Sequence, residues 1–126
     1  MEPLTVVAAV IERDGEFLLT LRPDGTHLSG HWEFPGGKCP PHESHAEALR
    51  RELFEELDIV GVVWNCVLSV THAYGDRVVE LHFYRCGFEG TPKPMLGQEI
   101  RWVRRDDLRG LRFPAADAEL IEILAG

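Results

Sequence analysis

The chain has no apolar run long enough to span a bilayer. The longest, such as Leu4 to Ile11 with Thr5 inside it, stop well short of the roughly 20 residues that a membrane helix needs. Its opening residues, Met1-Glu2-Pro3, lack the basic-then-apolar pattern of a secretory leader, so a cytoplasmic protein with no membrane partner is expected. Basic clusters are missing too. Against 21 Asp and Glu there are only 13 Lys and Arg, the net charge is −8, and no basic run exceeds two residues. Contacts along a nucleic-acid backbone need grouped cations, so no nucleic-acid polymer is expected as partner. An acidic protein can still take a polyphosphate when metal ions neutralise both sides. Cysteine is scarce: Cys39, Cys66 and Cys86 are an odd number with no Cys-x-x-Cys pair, which leaves no zinc or redox motif. Cys66 and Cys86 fall in strand-like apolar segments and read as buried thiols acting as small hydrophobes. Internal repeats and low-complexity tracts are absent.

What is present suits one globular domain over residues 1–126, with 44% hydrophobic and 27% charged residues. Leu4 to Glu12, Asp14-Gly15 and Phe17 to Leu21 spell a β-hairpin. Arg22 to His31 is a polar loop before a short strand at Trp32-Glu33-Phe34, which Pro35 ends and Gly36-Gly37 bend away. Ser44 with Glu47 forms a capping box, and Ala46, Leu49, Leu53 and Leu57 recur at helical spacing, giving a helix over 44–57. Strands are expected over 59–63 and 66–71, broken near Trp64-Asn65, then over 78–86 after the turn at Gly75-Asp76. A loop with Pro92 and Pro94 leads to a strand over 100–103, a helical turn over 104–108 and a last helix over 115–124 with Leu120, Ile121 and Leu124 inward. Strands and helices mixed without strict alternation predict an α/β fold with a mixed sheet.

The helix over 44–57 carries the chemistry. At about 100° per residue, Glu52, Glu55 and Glu56 share one arc beside the apolar one. Like charges three and four residues apart destabilise a helix by a few tenths of a kcal/mol per pair, roughly. Two readings stand at this point. The face is solvated, with Arg51 offsetting Glu47 and Glu55 at four-residue spacing, or it holds a hard cation such as Mg²⁺ or Mn²⁺.

The upstream spacing adds to this. Gly37, five residues, Glu43, seven residues, then Arg51-Glu52-Leu53-Phe54-Glu55-Glu56-Leu57-Asp58-Ile59 resembles the Nudix box. One position departs: Asp58 stands where the family has glycine, at a helix end that wants a left-handed residue, which Asp tolerates better than most. Trp32 to Lys38, with Arg22 and His27 before it, resembles the entry segment of MutT-type members. Tyr74-Gly75-Asp76-Arg77 with Leu81 is similar to their nucleoside-pocket elements, and Phe113 to Asp117 to the segment that supplies their base-reading side chain.

The resemblance implies a Nudix-type α/β/α sandwich and hydrolysis of a (deoxy)nucleoside triphosphate to monophosphate and pyrophosphate, as in nucleotide pool sanitising. It assigns Glu52, Glu55, Glu56 and the carbonyl of Gly36 to a divalent ion, with Mg²⁺ expected and Mn²⁺ as substitute. Glu52 would orient or deprotonate water, and Arg51 would pair with Glu43 to hold the ligands. Arg22, His27, Phe34, Lys38, Tyr74, Asp76, Arg77, Leu81 and Asp117 are the implied substrate contacts, although Lys38 also reads as a solvated residue after a turn. A non-catalytic nucleotide-binding module and a hydrolase of another nucleoside diphosphate conjugate are the alternatives.

Three further departures concern ligands and substrate. The outer glutamate that MutT relatives carry before their last tryptophan strand falls here on Leu96, leaving Gln98 or Glu99 as replacements. Pro40-Pro41-His42 stiffens the turn, with His42 read as an exposed loop residue. Asp117 stands in place of the asparagine that reads oxidised guanine. An ionised carboxylate accepts only and favours an N–H edge such as the cytosine amine, so both base classes stay open. Asp117 also reads as a helix N-cap.

Overall fold

A computed structural model describes residues 2–26 and 28–126. Strand β1 (Leu4–Val10) runs parallel to β7 (Arg77–Glu89), pairing Leu4 with Val79 and Val10 with Arg85. On its other side β1 pairs antiparallel with β5 (Gly36–Lys38), and β7 pairs antiparallel with the long β6 (Val60–Tyr74). The order is β5-β1-β7-β6, the expected mixed sheet. Beside it lies an antiparallel sheet in which β3 (Glu16–Leu21) joins β2 (Glu12–Arg13), β4 (Trp32–Glu33) and β8 (Ile100–Arg104).

The hairpin expectation needs correction. The turn is there, with Asp14 at φ 54° and Gly15 at φ 77°, the double positive φ of a type I′ turn. Only β2 pairs with β3, however, because the chain leaves the mixed sheet at Ile11 and changes sheets. The break foreseen at Trp64-Asn65 is a local irregularity inside one continuous β6, whose register slips between Val63 and Leu68. Cys66, next to that slip, is exposed, contrary to expectation, because the bulge turns it outward; Cys86 is buried. Burial pushes the Cys86 thiol up to about 12, consistent with an inert packing group.

Helix α1 (His45–Leu57) forms as its local signals dictate. Glu47 N–H donates to Ser44 Oγ (3.1 Å) and Ser44 N–H donates to the Glu47 carboxylate (2.9 Å), closing the capping box. Asp58 takes the left-handed C-terminal position at φ 56°, and its N–H donates to the Phe54 carbonyl. The buried stripe is Ala48, Leu49, Leu53 and Leu57; Ala48 rather than Ala46 completes it. Each leucine contributes about 1.5–3 kcal/mol on burial. This stripe packs with Val7, Ala9, Leu18 and Cys86 into one core. The opposite face buries Ala8, Phe17, Leu19, Phe34 and Phe83 under Leu120, Ile121 and Leu124 of α2 (Ala118–Ala125), which follows a 3-10 turn over Ala115–Asp117. Helices thus cover both faces of the strands, an α/β/α sandwich. No helix among the described residues is long and apolar enough to cross a membrane.

Candidate active site

Strand β5 brings a pair of glycines against α1. The expected bend at Gly36-Gly37 is a strand instead, and the glycines serve close approach. A Cβ on Gly37 would stand 2.5 Å from the Glu52 carboxyl carbon, and one on Gly36 would overlap the Val7 carbonyl of β1. Absence of side chains here lets the first glutamate of the acidic face lie directly on the backbone of β5.

Arg51 organises the neighbouring carboxylates. Its Nε and Nη2 donate to Glu43 at 2.9 and 2.8 Å, a bidentate pair. Nη1 donates to Glu52 at 3.0 Å and reaches Glu55 at 3.4 Å, while Nη2 also donates to the Lys38 carbonyl at 3.2 Å. Hydrogen bonding from Arg51 holds the Glu43 carboxyl below the usual carboxylate range. Of the two partners foreseen for Arg51 on a solvated face, Glu55 is engaged, but Glu47 is taken by the capping box and Glu43 replaces it.

Among the described residues no three His, Cys, Asp or Glu side chains gather closely enough to form a ready ion-binding group. The chemistry of the donors nevertheless fits a hard divalent ion. They are all oxygens, and Glu56 carries a load that a cation would relieve. Burial first, then a shared hydrogen bond with Glu52 and the negative charges of Glu52, Glu33 and Glu55, push its carboxyl far above the carboxylate range. Neither replacement for the outer glutamate faces this group as a free carboxylate. Leu96 is exposed, Glu99 pairs with Arg101 at 2.9 Å, and Gln98 is buried with its amide bonded to Leu96 N–H and the Glu56 carbonyl.

Beside β5 opens a cavity of about 560 Å³, walled by β1 and β7 and closed by the segment before α2. Of the expected substrate contacts, Arg22, Phe34, Lys38, Tyr74, Arg77, Leu81 and Asp117 line it, together with Gly36 and Gly37. Asp76 does not: it sits at the exposed tip of the β6–β7 hairpin, where Gly75 takes φ 60°. His27 lies outside the described residues. His42 is exposed, as foreseen. Phe34 stacks on Phe113 at 5.7 Å between centroids and meets Phe83 edge-on at 6.0 Å. A second hollow, against β8, is lined by Glu16, Arg101, Arg104 and Asp107 and by none of these residues.

Sequence reasoning missed Glu33. It lines the cavity, accepts a 2.8 Å ion pair from Arg22, and has its carboxyl raised by burial despite that partner. A glutamate between the two inward aromatics Trp32 and Phe34 was the available signal. Asp117 also needs correction. It is 5% exposed, makes no side-chain cap to α2, and burial followed by the Glu33 charge pushes its carboxyl up to about 7. A carboxyl raised this far titrates around neutral pH, which brings an acid form that can donate as well as accept within reach. The Tyr74 hydroxyl lies beside the Ala116 backbone and near Asp117.

Residues 6–123 match the NUDIX domain family. The chain is 40% identical to the CTP pyrophosphohydrolase of Escherichia coli over 121 residues, covering 95% of this chain and 88% of that protein. It is 34% identical to the 8-oxo-dGTP diphosphatase of Haemophilus influenzae, covering 96% and 90%. Among solved structures, the E. coli ORF135 protein superimposes with a TM-score of 0.87 at 39% identity, covering 97% of this chain and 88% of that one.

Proposed function

This chain belongs to the NUDIX family, and on that premise we propose that it is a Mg²⁺-dependent nucleoside triphosphate pyrophosphohydrolase of the nucleotide pool, acting in the cytoplasm on cytidine-type or oxidised guanine nucleotides. The observation that carries this reading is continuity. One cavity joins the Gly36-Gly37 strand, which lies against Glu52, to the buried Asp117.

Gly36 through its carbonyl, with Glu52, Glu55 and Glu56, would hold the ion. Mg²⁺ bound there would screen phosphate charge and make its water more acidic. The protein's own groups account for the rest. Glu52 orients the attacking water and takes its proton. Arg51, fixed by Glu43, keeps Glu52 and Glu55 in place. Lys38, Arg22 and Arg77 supply positive charge along the cavity. Water adds across the anhydride between the α and β phosphorus: its oxygen bonds to one phosphorus, the bridging oxygen leaves with the other, and monophosphate and pyrophosphate result. Asp117, with Glu33 and Tyr74 nearby, meets the base edge. The two base classes correspond to the activities named for the E. coli and H. influenzae relatives.

Pyrophosphate release from CTP, 8-oxo-dGTP and the ordinary triphosphates, with and without Mg²⁺, tests the reading. The expected result is Mg²⁺-dependent release of pyrophosphate, with CTP or 8-oxo-dGTP preferred. Absence of release from every nucleotide, or release of orthophosphate alone, would refute it.

A further inference from the structure

The loop between β7 and β8 does more than connect two strands, because it folds back onto the C-terminal end of α1. The last carbonyls of a helix have no partners within it. Here the loop provides them. Lys93 N–H donates to the Leu57 carbonyl at 2.9 Å and Met95 N–H to the Glu56 carbonyl at 3.1 Å. Gln98 completes the arrangement. Its Nε2 donates to the same Glu56 carbonyl at 3.1 Å, and its Oε1 accepts from Leu96 N–H at 2.9 Å.

The Glu56 carbonyl thus receives two donors, which fills its accepting capacity. Gln98 is 9% exposed, and both of its bonds are partly buried. The Glu56 side chain projects from this same last turn of α1. A small rotation of the last turn of α1 would therefore change how that carboxylate meets an ion.

We propose that Gln98 is a positioning residue for the metal site, tying the loop to the Glu56 carbonyl and so fixing the carboxylate that the last turn of α1 carries. The proposal rests on Glu56 being a ligand. It also accounts for the missing outer glutamate: this loop contributes to the site through an amide and backbone groups rather than through a carboxylate of its own. Glutamate at position 98 would keep the acceptor for Leu96 but set a second acceptor against the Glu56 carbonyl.

Titration of the nucleotide-free protein with Mn²⁺, reading free Mn²⁺ by electron paramagnetic resonance, tests this without turnover. Gln98→Met fills similar volume and removes both hydrogen bonds. It is expected to weaken Mn²⁺ binding by about 10-fold or more, the effect typical of losing a group that orients a ligand. Gln98→Ala should do the same, and if it fails to fold the Met variant still reports. Leu120→Ala, under the opposite face, lowers thermal stability without touching the loop and should leave Mn²⁺ affinity unchanged, which separates positioning from general destabilisation. Native Mn²⁺ affinity in Gln98→Met, with weakened affinity in Glu56→Gln, would overturn the proposal alone. Native affinity in Glu56→Gln would remove Glu56 from the ion and overturn both.

Discussion

Protonation of Asp117 should set which base the enzyme prefers, and pH is the direct perturbation. With its carboxyl raised to about 7, about nine in ten molecules carry the proton at pH 6 and about one in ten at pH 8. The acid form offers a donor and an acceptor, like the amide at this place in MutT-type relatives, and suits oxidised guanine. The carboxylate form accepts only and suits the cytosine amine. A polarity mismatch in a buried site costs about 1–3 kcal/mol. Acting on one base only, that predicts a CTP to 8-oxo-dGTP ratio of kcat/KM rising roughly 3- to 10-fold from pH 6 to pH 8. Using the ratio cancels titration of the metal site, including Glu56, which affects both substrates alike. Arg22, Glu33, Tyr74 and Arg77 share the cavity, so Asp117→Asn is the necessary control. It should flatten the ratio and fix it toward oxidised guanine. A flat ratio in the native enzyme, or an unchanged inflection in Asp117→Asn, would refute the reasoning.

The same group makes a stability prediction. Its folded value lies above the ordinary 3.8, so between these values the native state keeps a proton that the unfolded chain has lost. Stability from this source is complete below pH 3.8 and fades as pH rises through about 7, and urea unfolding of native protein against Asp117→Asn should show it. Glu52→Gln should lower kcat by about 10²- to 10⁴-fold with native circular dichroism; near-native turnover would remove Glu52 from the water. Gly37→Ala places a methyl against the Glu52 carboxyl and should cost about 10²-fold in kcat by displacing it, measured by pyrophosphate release. Leu53→Ala, at a fully buried position, should lower unfolding free energy by about 2–5 kcal/mol.

Features set by neighbours in sequence were legible. The Ser44–Glu47 cap, the stripe of Leu49, Leu53 and Leu57, and the turn at Asp14-Gly15 each depend on residues a few positions apart. The Arg51–Glu43 pair was legible through the spacing of a known motif. Features set by long-range packing were not. Nothing local in Leu4 to Val10 says that it abandons its hairpin for β7. The Gly36-Gly37 pair looked like a bend because the close approach of Val7 and Glu52 comes from distant segments. Glu33 and Gln98 gain their roles only from what folds over them, and the raised carboxyl of Asp117 follows from burial beside Glu33.

The parallel pairing of β1 with β7 also governs how the molecule assembles. Leu4 meets Val79, so the floor of the cavity cannot form until most of the chain has left the ribosome. Closing so long a loop must precede any reward from the contact, so this pairing carries the larger share of the loop-closure cost. Helix α1, capped by its own residues, can form much earlier. During synthesis the nascent chain therefore holds the charge of its glutamates before it holds a closed cavity.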